Sequence, residues 1–149
     1  MQIRAPGPQD LDGLADLKIA WSGAEDVAAA DRRSFRDDLV AWMTRLGDAA
    51  ACRVAVDDVG AVVGMAWLVV FERVPDLGDR RRRTADVQSV FVLPPHRGRG
   101  VGRALVDALL EDADRRGIPR TTVHSSPGAV ALYERAGFRT SPELLERRV

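Results

Sequence analysis

The chain has 149 residues, 46% of them hydrophobic, with 22 basic and 22 acidic side chains, which fits a single domain over residues 1–149 with a core of its own. Balanced charge supplies no overall basic field for a nucleic-acid backbone or an anionic membrane, so neither is expected as a partner. Cys52 is the only cysteine and His96 and His124 the only histidines, a set that makes no intrachain disulfide and has no metal-site spacing, so no metal is expected.

The first residues lack the apolar core of a signal peptide, and the longest apolar stretch, residues 61–71, is too short to span a bilayer; a soluble cytoplasmic protein is expected. Ile3 opens a short strand that Pro6 and Pro8 break. Leu11, Leu14, Leu17 and Trp21 recur at helical spacing, and Phe35, Leu39, Trp42, Met43 and Leu46 mark a second amphipathic helix closed by Gly47. Trp21, Phe35 and Trp42 on these helices read as core aromatics, the other reading being the wall of a ligand site. Residues 53–56 read as a strand, 57–60 as a hairpin turn and 61–72 as its partner. Residues 74–84, with Pro75, Gly78 and the run Arg80, Arg81, Arg82, Arg83, read as a solvated loop. A third strand covers 85–93. Pro94 and Pro95 stop it, and a glycine turn leads into a helix with Val101, Ala104, Leu105, Ala108 and Leu109 on one face, closed by Gly117 and Pro119. Residues 121–124 form a further strand, 129–135 a short helix, and Phe138 begins a last strand, which could pair across a homodimer. The expected order is βααβββαβαβ, an α/β (α+β) fold with a mixed central sheet flanked by helices on both faces.

The chemistry concentrates at the turn Arg97, Gly98, Arg99, Gly100, Val101, Gly102. A strand that turns through glycines into a helix leaves backbone N–H groups without intrahelical partners, and the helix dipole adds to them, so a phosphate group is the natural occupant. Arg97, Arg99 and Arg103 reinforce it. A Walker loop needs Lys then Ser or Thr where Arg103 and Ala104 stand, and a dinucleotide fingerprint needs its third glycine at position 103. Both readings fail.

The segment from Val90, Phe91 and Val92 through Pro94, Pro95 and His96 to Gly102 resembles the acetyl-CoA motif of the GNAT superfamily. Ala131, Leu132, Tyr133, Glu134, Arg135, Ala136, Gly137, Phe138 resembles the closing helix and strand of the same superfamily. The resemblance implies the GNAT fold, with about six to seven strands, and acetyl-CoA as cosubstrate. It further implies transfer of an acetyl group to a primary amine by direct attack in a ternary complex. Val90, Phe91 and Val92 would bond a pantetheine arm lying as a pseudo-strand, and one of their N–H groups would polarise the thioester carbonyl. Ser126 stands where many members carry an Asn that contacts that arm.

Tyr133 matches the tyrosine that serves the leaving sulfur as general acid or thiolate stabiliser. An attacking amine must be neutral, and Asp86, expected on one strand face with Val90 and Val92, is the first candidate to take its proton. Glu72 and His124 stand in reserve. The acceptor is expected to be a small-molecule or peptide amine. The alternatives are acetylation of a protein or tRNA-linked amine, with the arginine loop as docking surface, and a non-catalytic acyl-CoA-binding regulatory module.

Overall fold

The computed structural model describes residues 1–149 throughout. In chain order the elements are β1 (Gln2–Arg4), α1 (Leu11–Trp21), α2 (Ala29–Leu46), β2 (Ala50–Val56), β3 (Val62–Glu72), β4 (Arg83–Val92), α3 (Val101–Arg115), β5 (Thr121–Val123) and α4 (Val130–Arg135). One five-stranded sheet has the order β1-β2-β3-β4-β5. Its pairs are antiparallel except β4 and β5, which run parallel because α3 carries the chain back across the sheet.

Helices cover both faces, and alternation along the strands divides the core in two. Cys52, Val54, Met65 and Trp67 face α1, where Leu14 and Leu17 are buried. On the other face Ala55, Leu68, Ala85 and Val87 meet Leu105, Val106 and Leu109 of α3. Helix α1 is held to β1 by an acid in the first-turn region: Asp10, 2% exposed, accepts from the Gly7 N–H at 2.6 Å and from Arg4 Nη2 at 2.9 Å. Helix α2 ends, as its sequence foretells, at Gly47 with φ +51°. None of its side chains is fully buried, yet Leu39, Trp42 and Met43 pack against the core on the α1 side of the sheet.

Two expectations fail. The sheet has five strands rather than six or seven, and no strand follows α4. Phe138 serves the end of α4 instead. Its N–H bonds Tyr133 O at 3.0 Å, Gly137 N–H bonds Glu134 O at 3.0 Å with Gly137 at φ +95°, and the Phe138 ring meets Tyr133 edge to face at 5.6 Å. This is a Schellman cap with its hydrophobic contact. Beyond it Arg139, Thr140, Ser141, Pro142 and Glu143 offer no apolar alternation to pay for a strand. The strand proposed for dimer pairing is therefore absent. The other failure is Trp21, which is 48% exposed rather than in the core.

Candidate active site

The glycine turn presents an array of donors. Gly98 and Gly100 hold φ of +70° and +79°, a left-handed backbone that side-chain-bearing residues resist. No amide of residues 98–103 donates a hydrogen bond within the chain; the first to do so is Ala104, to Gly100 O at 3.0 Å. These amides open on a cleft of about 630 Å³ lined by Val90, Phe91, Val92, Gly98, Gly100 and Gly102, together with Arg97, Val101, Arg103 and Ser126. Gly102 has a packing role as well, since a Cβ there would lie 3.3 Å from Leu132 Cδ1 of α4.

The cleft exists because the sheet splits. Strands β4 and β5 pair only from Ala85 with Thr121 to Val87 with Val123. Leu93 N–H donates to Val63 O at 2.9 Å, so by alternation the Val92 amide groups face the other edge, toward the split. There Val92 O accepts from Arg97 Nε at 2.7 Å, and the Arg97 guanidinium lies 5.4 Å from the Phe91 ring centre.

A bulge in β4 changes which residues share a face. Met65 opposes Phe91 but Trp67 opposes Gln88, which inserts one extra residue on β4, and Ser89 takes φ +49°. Val90 and Val92 consequently pack with α3, whereas Phe91 packs with the α1 core. Asp86, which pairs with Thr122, lies between the α3-facing Ala85 and Val87, and Gln88, which pairs with Trp67, follows Val87 on the same face as Asp86. The expectation that Asp86 shares a face with Val90 and Val92 is thus corrected: the bulge puts it on the α1–α2 side. Its carboxylate accepts from Thr122 Oγ1 at 2.9 Å and Gln88 Nε2 at 3.0 Å.

Other candidates spread around these features. Tyr133 is 8% exposed, burial holds its phenol above the ordinary range, and it lines not the donor cleft but a separate cavity of about 340 Å³ with Thr122, Val123 and Phe138. Arg103 lines the donor cleft but is tied to both oxygens of Asp107 and to Arg135 O at 2.7 Å. Arg99 is exposed and lines none of the cleft. His124 is exposed, and Glu72, opposite Arg83, sits five ladder positions from the Trp67–Gln88 pair. Sequence reasoning missed Lys18, Gln88 and Ser89. These line a cavity of about 570 Å³ beneath α2, together with Phe35, Trp42 and Trp67. Lys18 and Ser89 carry no local signature; only the fold brings them together. No helix is long and apolar enough to cross a membrane.

A split mixed sheet with a donor-rich turn at its mouth is an arrangement that can receive an extended, phosphate-bearing ligand between two strands. Residues 16–138 match the Acetyltransferase (GNAT) family, and the chain belongs to that family. It is 37% identical over 140 residues to the mycothiol acetyltransferase of Salinispora tropica, a match covering 89% of this chain and 42% of that protein. The chain thus spans about two fifths of that relative's length. Among solved structures, an acetyltransferase of Trypanosoma brucei superposes with TM-score 0.79 at 22% identity, covering 99% of each chain. A predicted acetyltransferase with acetyl-CoA from Clostridium acetobutylicum superposes with TM-score 0.73 at 17% identity, covering 99% of this chain and 95% of that one. Both show the shared fold.

Proposed function

We propose that this chain is an acetyl-CoA-dependent N-acetyltransferase that passes the acetyl group directly to a primary amine in a ternary complex. The observation that carries this reading is the row of unbonded amides at residues 98–103, opening on a cleft whose wall is the unpaired edge of β4. Coenzyme A suits both halves. A pyrophosphate takes free N–H donors at a helix N-terminus, and the amides of a pantetheine arm take the strand-edge bonds that β5 leaves unused. The Salinispora tropica relative is, by its name, an acetyltransferase of mycothiol, a small molecule, which supports a small acceptor here.

Tyr133 is assigned to the leaving sulfur. Its raised pKa keeps the phenol protonated at neutral pH, and since a phenol near ~10 is less acidic than a thiol near ~8.5, it serves better by hydrogen bonding than by full proton transfer. Asp86 is assigned to the amine side, as proton acceptor through water and as the anchor of Gln88. Direct transfer is favoured because Cys52 is buried against α1, and burial pushes its thiol far up, opposite to what a nucleophile needs. The test mixes protein, acetyl-CoA and an amine panel, following thiol release and the acetylated amine by mass spectrometry. Turnover with intersecting initial-rate patterns is expected. Parallel patterns would overturn direct transfer, and coenzyme A binding without turnover would make the chain a non-catalytic acyl-CoA-binding module.

A further inference from the structure

The cavity beneath α2 carries information about the acceptor. Consecutive residues of β4 line different spaces: Val90 borders the donor cleft and Ser89 the cavity on the α1–α2 side. The bulge at Ser89 is therefore the partition between them, and the split in the sheet closes just beyond it, at Val87 and Val123. An extended donor entering from the glycine turn along Val92 and Val90 ends at this partition.

At the partition stands Lys18, the chain's only lysine. Its Nζ donates to Ser89 Oγ at 2.5 Å and lies 3.7 Å from the Trp21 ring centre. No carboxylate lies within ion-pair distance of it, and burial lowers its pKa. A part-buried ammonium without a counter-ion is costly, and a ligand carboxylate would relieve it. Beside it, Gln88 spends its Nε2 on Asp86 and keeps its Oε1 for a ligand N–H. The remaining walls are broad and flat. Phe35 and Trp42 come from α2, and Trp67, 3% exposed, comes from the sheet, with Trp42 and Trp67 meeting edge to face at 5.6 Å. The other charges on the lining are Asp38 and Arg45 of α2, one of each sign.

We infer that the acceptor is a free α-amino acid with a large aromatic or apolar side chain. Its carboxylate pairs with Lys18, its amine faces Gln88 and the partition, and its side chain lies along the wall formed by Phe35 and Trp42. An α-amino acid suits the site because its amine and carboxylate, one carbon apart, can meet Gln88 and Lys18 together, Lys18 being bonded to the adjacent Ser89. A polyamine would place a second cation against Lys18, and an amino sugar would leave the apolar walls against hydroxyl groups. This inference rests on the acetyltransferase reading. In the transfer, the amine nitrogen bonds the acetyl carbonyl carbon, the carbon–sulfur bond breaks, the sulfur leaves with the electron pair and is protonated to free coenzyme A, and the amine loses one proton.

Initial rates with acetyl-CoA are measured for L-tryptophan and L-phenylalanine, for the matched amines tryptamine and phenethylamine, and for glycine, glucosamine and spermidine. The expected result is a kcat/KM for the aromatic amino acids at least tenfold above their decarboxylated amines and above glycine. Lys18→Gln should raise the KM ratio of L-tryptophan to tryptamine tenfold or more, and Lys18→Arg should restore most of it. Equal changes for both acceptors in Lys18→Gln, or tryptamine matching L-tryptophan in the unaltered chain, would overturn the inference. Turnover of glucosamine or spermidine without the amino acids would overturn it and leave the acetyltransferase reading intact. Coenzyme A release with no amine of the panel would instead sink the acetyltransferase reading.

Discussion

Replacing Gly100 with alanine tests the link between backbone geometry and donor binding. Gly100 has φ +79° and ψ −1°, and a Cβ there meets nothing within 4 Å, so the cost is backbone strain alone. Holding an L-residue in that conformation costs about 1–2 kcal/mol, or about 2–8 °C in Tm for a domain of this size. The chain can escape the strain by rotating residue 100. That turns the N–H groups of residues 100 and 101 away from the cleft, which forfeits two hydrogen bonds to a charged group at about 1.5–3 kcal/mol each. Affinity for coenzyme A would then fall about 10²- to 10⁴-fold. Thermal denaturation and titration calorimetry with coenzyme A read the two outcomes, and Gly100→Asn should recover much of either loss because asparagine tolerates the left-handed region. Gly100→Ala with an unchanged Tm and a coenzyme A Kd within twofold would refute the reasoning.

Asp10→Asn should destabilise the chain by about 2 kcal/mol at pH 7, the worth of hydrogen bonds to a charged group less the screening at part-exposed Arg4. The Arg4 hydrogen bonds hold the Asp10 carboxyl below its ordinary range. The stabilisation is therefore complete above pH ~4 and lost as pH falls through the lowered value, so denaturant curves of the two proteins should converge in acid. Tyr133→Phe should lower kcat by about 10- to 100-fold with little change in the KM for acetyl-CoA. With the phenol held up by burial, its own alkaline limb in the unaltered enzyme should lie above pH ~10; a limb near pH 8 that vanishes in Tyr133→Phe would contradict that placement. Cys52, 5% exposed with its thiol pushed up by burial, should resist iodoacetamide in the native protein and react promptly in denaturant, as mass spectrometry would show.

Much of the fold is written in short-range chemistry. Pro94, Pro95 and the glycines that follow stop β4 and start α3 where the sequence indicates, because φ preferences act on single residues. Gly47 closes α2 for the same reason. Strand ends shift by a few residues, as at β2, where Ala50, Ala51 and Cys52 extend the expected strand by pairing with β3. Phe138 misled because its apolar character suits a strand as well as a cap, and the choice turned on Tyr133 waiting beneath it. Trp21 misled because helical spacing places it near the apolar stripe, while in the fold its ring is 48% exposed and meets the Lys18 ammonium at 3.7 Å.

The sequence by itself determined what the turn at residues 97–102 can hold, since unbonded amides, glycine conformations and a helix start are local properties. Tertiary structure alone decided what lies beside it. The bulge at Ser89 reverses the inside–outside alternation of β4, and no residue type announces it. Strand parity counted along the sequence therefore placed Asp86 with the wrong neighbours. Lys18 and Ser89 meet across 71 positions of sequence. Such a contact depends on how α1 packs against the sheet, and packing is a property of the assembled core.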